Sequence, residues 1–165
     1  MSVILIGMPS CGKSTLGVLL AKSLGYRFID SDLLIQEREG MLLHDIIAQR
    51  GTKEFLKIED EVNSAIRDER AVISTGGSAV YCERAMKHLS TLGKIVYLRI
   101  SYETMAERLG DYVHRGVVLN GAEDLREMYK VREALCQRYA DITVDIVDGK
   151  FSESAQNVIL AIKGC

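Results

Sequence analysis

The sequence predicts a doubly wound α/β fold, a five-stranded parallel sheet flanked by helices. Two observations carry this. Five short aliphatic runs alternate with longer segments of helical character, and strands separated by helices imply parallel crossovers. Glycines also stand where several of those helices should stop. At 165 residues the chain has a common single-domain size, enough for one sizeable core. Residues 1–165 are therefore expected to form one domain.

The elements follow in order. Val3–Ile6 is an unbroken aliphatic run, suited to a buried first strand. Lys13–Leu24 reads as a helix ended by Gly25, and Tyr26–Asp30 as a second strand. Asp32–Glu39 is helical up to Gly40, and Leu43–Arg50 is a short helix closed by Gly51. Thr52–Arg70 reads as a long charged helix. Within it Phe55, Ile58, Val62 and Ile66 recur at spacings of three and four, so one stripe faces a core. Ala71–Ser74 is a third strand, Tyr81–Leu89 a helix, and Ile95–Arg99 a fourth strand followed by a helix through Leu109. Gly110–Gly121 has no clear period and holds three glycines. Glu123–Tyr139 is helical, Ile142–Ile146 a fifth strand, and Ser152–Lys163 the last helix.

Composition narrows the function. The net charge is -2, so nothing suggests nucleic acid as the main partner. Apolar runs are short and soon interrupted by charge, so no membrane span is expected. The N-terminus lacks a basic region and a cleavage site, which points to a cytoplasmic protein. Cys11, Cys82, Cys136 and Cys165 form no CxxC pair and have no histidine at ligand spacing; reduced thiols are expected rather than zinc or disulfides. His44, His88 and His114 are scattered and carry no catalytic expectation.

Between the first strand and first helix stands Gly7-Met8-Pro9-Ser10-Cys11-Gly12-Lys13-Ser14-Thr15. It fits G-x-x-x-x-G-K-[ST] without a gap, in the strand–helix context that its mechanism needs. Glycines let the main chain wrap phosphate closely, with N–H groups pointing inward. The start of the following helix adds partial positive charge. Lys13 can reach the β- and γ-phosphate oxygens, Ser14 can coordinate Mg²⁺, and Thr15 can bond to phosphate. The loop is thus expected to bind a nucleoside triphosphate with Mg²⁺.

Such a loop serves switches and motors as well as kinases. Asp30 and Asp32 close the second strand, where ligand groups collect in a parallel sheet. One could approach the metal through water and the other could accept a hydrogen bond from an attacking hydroxyl. The pair fits equally a strand end and a helix cap. Thr75-Gly76-Gly77 follows the third strand and would let main chain approach a small ligand. Arg115 and Arg132 could stabilise charge in transfer or bind a carboxylate.

Together these residues resemble the shikimate kinase family, P-loop kinases of the nucleoside monophosphate kinase type, over nearly the whole chain. Gly7–Thr15 matches the family's phosphate loop and Asp30-Ser31-Asp32 its Asp-x-Asp motif. Glu54-Phe55-Leu56-Lys57-Ile58-Glu59 matches E-F-R-x-x-E, Thr75-Gly76-Gly77 the glycine-rich substrate loop, and Arg132 the R-x-P-L arginine. Arg115 matches the lid arginine and Arg108 a position near adenine.

The resemblance implies a P-loop kinase with a small helical substrate-binding region near 33–60 and a lid near 110–121. It implies transfer of the ATP γ-phosphoryl to the 3-hydroxyl of shikimate, by a monomer. Lys13, Asp32 and Arg115 would be catalytic. Gly7, Ser10, Cys11, Gly12, Lys13, Ser14, Thr15 and Arg108 would hold ATP. Asp32, Glu59, Gly76, Gly77 and Arg132 would hold the acceptor. Mg²⁺ would sit on Ser14 and, through water, on Asp30.

Four positions depart from the family pattern. Leu56 stands for one of two carboxylate-gripping arginines, Ser78 for the third glycine of the substrate loop, Gly116 for a proline after the lid arginine, and Ala134 for the family proline. Losing one charge-assisted contact costs about 1.5–3 kcal/mol, roughly ten- to hundredfold in binding. Leu56 therefore leaves open a kinase of the same fold with another small hydroxy acid or amino acid as acceptor. A nucleotide-binding regulator without transfer chemistry is a further alternative, though it would need none of Asp32, Arg115 and Arg132.

Overall fold

A computed structural model of the chain describes residues 1–110, 117–147 and 149–164. Five strands form one parallel sheet: β1 (Ser2–Gly7), β2 (Arg27–Asp30), β3 (Ala71–Ser74), β4 (Gly93–Arg99) and β5 (Ile142–Asp145), in the order β2-β3-β1-β4-β5. Central β1 is buried along its whole length, with Val3 opposite both Val72 and Lys94 in the register. That is why its sequence is a continuous aliphatic run rather than an alternating one.

Seven helices connect and cover the sheet: α1 (Lys13–Leu24), α2 (Ser31–Glu39), α3 (Leu43–Ala65), α4 (Glu83–Leu92), α5 (Tyr102–Leu109), α6 (Leu125–Tyr139) and α7 (Phe151–Lys163). Val3 and Leu5 pack on one sheet face with Leu16 and Leu20 of α1, Met128 of α6 and Val158 of α7. Ile4 and Ile6 pack on the other with Met86 and Leu89 of α4 and Cys136 of α6. A third cluster joins Ile35 of α2 to Ile46, Phe55, Ile58 and Val62 of α3 and to Val118. This small core lies in the helical region expected near 33–60.

Two expectations change. The second of the two helices expected on either side of Gly51, which is itself non-helical (φ 81, ψ 164), ends at Ala65, not Arg70. Ile66 turns extended so that its side chain enters the core beneath β3, and the Arg67 guanidinium donates to the carbonyls of Ser64 and Ile66, covering the helix end. The helix expected from Tyr81 begins at Glu83, because Ala79–Tyr81 form a single 3₁₀ turn. Among the described residues no helix is long and apolar enough to cross a membrane.

The topology fixes where a ligand can bind. From β1 the chain crosses past β3 to β2; from β3 it crosses past β1 to β4. Connections leaving neighbouring strands in opposite directions open a crevice at the strands' carboxyl ends. The loop at residues 8–12 and the Thr75-Gly76-Gly77 loop flank that crevice.

Candidate active site

The phosphate loop is built from unusual backbone. Ser10 (φ 60) and Gly12 (φ 92) are left-handed, and Gly12 is the cap from which α1 starts. A Cβ on Gly12 would stand 2.7 Å from the Phe151 ring, so glycine is needed for both shape and space. The Lys13 ammonium is buried, donating to the carbonyls of Gly7 (3.0 Å) and Met8 (2.8 Å), with the Cys11 sulfur at 3.7 Å.

A cleft of about 520 Å³ opens at the loop. Ser10, Gly12, Lys13, Ser14 and Thr15 line it on one side, and Asp32, Thr75, Gly77, Arg108 and Phe151 on the others. Arg108 of α5 donates to the Ser10 carbonyl at 3.0 Å, tying the far wall to the loop. Gly7 and Cys11 shape the loop but do not line the cleft. A Cβ on Gly7 would meet the Leu98 carbonyl at 2.7 Å, and the Cys11 thiol is buried in the core.

The two aspartates divide as follows. Asp30 caps α2, with its Oδ1 accepting the Asp32 N–H at 3.0 Å, while its Oδ2 accepts from the Ser14 hydroxyl at 2.6 Å. The cap is therefore Asp30, not Asp32. Asp32, the second residue of the helix, is freed to face the crevice. Burial above all, and then the nearby Asp30 charge, push its carboxyl up to about 6 against the pull of Lys13.

Asp32 also lines a second, smaller cavity of about 70 Å³. Pro9, Gly76, Gly77, Ser78 and Arg132 line it, with Leu43, Phe55, Val117 and Val118 as its apolar wall. Arg132 is almost wholly buried on α6. It donates to the Val118 carbonyl and to the Tyr81 hydroxyl (3.4 Å), and its Nη1 is 3.0 Å from where a Gly77 Cβ would be. Glu59 of α3 is fully enclosed, with one oxygen bonded to the Ser78 hydroxyl at 2.6 Å. Burial, aided by Asp32 and opposed chiefly by that hydrogen bond, pushes it up to about 7.

A methyl on Gly76 would collide with Glu59 Oε1 and stand 2.7 Å from Asp32 Oδ1. The Gly76 N–H bonds the Ser31 hydroxyl (3.1 Å) and the Thr75 hydroxyl bonds the Leu5 carbonyl (2.9 Å), so the loop is pinned to both α2 and β1.

The structure thus brings together most of the residues that the sequence singled out. Arg115 lies outside the described residues, as does part of the expected lid. Lys57 does not take the place of an arginine at 56: it is exposed and pairs with Glu54 at 3.6 Å. The sequence did not point to Phe151, Phe55, Val118 or Tyr81. Nothing in their local pattern distinguishes them from ordinary packing residues, because only the fold brings them to the crevice.

Comparison with known proteins gives a consistent result. The family model "Shikimate kinase" matches residues 9–163. The "Shikimate kinase" of Moorella thermoacetica is 38% identical over 152 residues, 90% of this chain and 86% of that protein. The structure of "Shikimate kinase from Acinetobacter baumannii in complex with shikimate" superposes with a TM-score of 0.87 at 27% identity, covering 99% of this chain and 93% of that one. The shikimate kinase structure from Aquifex aeolicus superposes at 0.85 with 32% identity, over 99% and 97% of the two chains. Sequence and architecture agree from β1 to α7, and the chain belongs to the shikimate kinase family, ATP-using phosphotransferases that act on a hydroxyl group.

Proposed function

We propose that this chain transfers the γ-phosphoryl group of ATP to the 3-hydroxyl of shikimate. One observation carries the reading: Asp32 and Gly77 line both the phosphate-loop cleft and the smaller cavity that holds Arg132. A phosphate at Lys13 and an acceptor at Arg132 therefore share one carboxylate between them.

The roles follow from that placement. Asp32 accepts the hydrogen bond of the attacking hydroxyl and takes its proton; a carboxyl near 6 is well matched to that task at neutral pH. Lys13 exchanges its carbonyl partners for phosphate oxygens. Arg132 holds the acceptor carboxylate, Glu59, Gly76 and Gly77 shape the pocket around its ring, and Arg108 borders the nucleotide's base. Arg115, assigned by its match to the lid arginine, neutralises charge on the moving phosphoryl group. Residues 33–60 form the substrate-binding region and 110–121 the lid of one domain. The proposed enzyme is a cytoplasmic monomer; a single-chain mass in sedimentation checks the oligomeric state.

The Ser14 and Asp30 oxygens, 2.6 Å apart at the cleft, fit Mg²⁺, which takes one or two protein oxygens and completes its shell with water and phosphate. Bound there, it would neutralise negative charge on the nucleotide's phosphates during transfer. Ser14 would hold it directly and Asp30 through water.

A second reading keeps the reaction and changes the acceptor. Among the described residues Arg132 is the one cation lining the smaller cavity, where two arginines grip the carboxylate in the usual family pattern. A different hydroxy acid or an amino acid then becomes the substrate. Purified protein with ATP, Mg²⁺ and a panel of acceptors decides: shikimate-dependent ADP release is expected, and it should stop on adding EDTA. Turnover with another acceptor and none with shikimate would reject the first reading.

A further inference from the structure

We propose that Ser78 is a positioning residue of the acceptor site: its hydroxyl anchors one oxygen of Glu59 and so turns the other toward Asp32 and Gly76, which line that site. The inference rests on the acceptor site proposed above.

Glu59 has no contact with solvent. Its Oε2 accepts from the Ser78 hydroxyl at 2.6 Å, and its Oε1 has no hydrogen-bond partner. A buried carboxyl oxygen left unpartnered is costly unless something else supplies the bond. Glu59 Oε1 and Asp32 Oδ1 both crowd the point where a Gly76 Cβ would stand, so the two carboxyls border the same opening in the substrate loop. Pro9, Asp32, Gly76, Ser78 and Arg132 all line that small cavity. Glu59 does not itself line that cavity; its orphan oxygen stands behind the wall that Asp32 and Gly76 form, and acts on the acceptor through them.

Ser78 determines which oxygen is the orphan. Because its hydroxyl donates to Oε2, that oxygen is an acceptor, and the remaining bonding capacity is concentrated on Oε1, on the side of Gly76 and Asp32. When Glu59 is neutral, its proton resides on Oε1, beside the Asp32 carboxyl. When Glu59 is ionised, the same oxygen places its charge there. Either way the orientation comes from Ser78.

Two departures from the family pattern meet here. Position 56 lies one helical turn before Glu59, so a long cationic side chain there could lie beside it. Leu56 supplies none, and among the described residues no ion pair reaches Glu59. Lys13 and Arg132 favour its charged form only from a distance. Ser78, where the family pattern has glycine, supplies a hydrogen bond instead. Its backbone is ordinary (φ -95, ψ -5), so serine costs no strain at this place.

The test compares Ser78→Ala, Ser78→Thr and Leu56→Arg/Ser78→Ala in steady-state kinetics, with thermal midpoints for each. In Ser78→Ala the KM for shikimate should rise about tenfold, with the KM for ATP unchanged. Ser78→Thr, which keeps the hydroxyl, should return the shikimate KM to within about twofold of wild type, and the double variant should recover part of the loss. An unchanged shikimate KM in Ser78→Ala, an equal rise in both KM values, or a threonine variant as impaired as the alanine one would overturn the proposal. Should wild type fail to turn over shikimate, the acceptor assignment fails alone. The same comparison is then run with the acceptor that the panel returns, with the same split expected.

Discussion

At the scale of single residues, each active-site group owes its character to what surrounds it. Asp32 suits the base role proposed for it because burial and Asp30 raise its carboxyl to about 6 while Lys13 opposes them. Asp32→Asn should therefore lower kcat by roughly two to four orders of magnitude, while fluorescent-nucleotide titration shows ATP affinity retained; transfer at the wild-type rate would remove Asp32 from its role. In the proposed acceptor site Arg132 would present a planar fork to the acceptor carboxylate, and lysine keeps the charge without the fork. Arg132→Lys should raise the shikimate KM about tenfold or more with the ATP KM unmoved, which initial-rate kinetics will report. The residue identities were readable in the sequence because the chemistry needs rare combinations: a glycine–lysine–hydroxyl loop, and two acids spaced two apart. The motif match already assigns Asp30 to the metal and Asp32 to the acceptor; what the sequence could not show was that the Asp30 carboxylate is bonded to Ser14 and to the start of α2, leaving Asp32 to face the crevice.

At the scale of elements, the substrate loop after β3 works by having no side chain where two carboxyls converge. Gly76→Ala would push a methyl into Glu59 and Asp32. The variant should lose most acceptor phosphorylation, at least about tenfold in kcat/KM, yet still bind ATP; calorimetry with nucleotide and rate assays with acceptor separate the two effects. Helix and strand positions were legible from periodicity and from glycine stops: α1 runs from Lys13 to Leu24 as its sequence suggests, and Gly25 and Gly40 close their helices. The end of α3 was not legible. The polar run after Ala65 carries a helical pattern, but burial of Ile66 in the core beneath β3 prevails over local preference there.

At the scale of the whole molecule, alternation announced a parallel sheet, but the order β2-β3-β1-β4-β5 is written in no single stretch. It is set by which helices can cover which face, and it brings residues as distant as Asp32, Gly77 and Arg132 around one cavity. The same enclosure links folding to pH. Glu59 ionises near 4.5 when unfolded and near 7 when buried, so the folded chain holds a proton that the unfolded chain has lost. Its contribution is fully present below about pH 4.5 and is lost as pH rises through about 7. Urea midpoints of the ligand-free protein should show this decline, and Glu59→Gln should make it shallower, leaving the share that Asp32 contributes up to about pH 6; an equally steep decline in the variant would refute the assignment. Finally, Phe151 opens α7, nearly the length of the chain away from the Gly12 that its ring covers, and α7 packs beside α1. A polypeptide emerging from the ribosome thus has its phosphate loop long before it has that wall. The wall of the cleft beside Gly12 is complete only once α7 has emerged and docked.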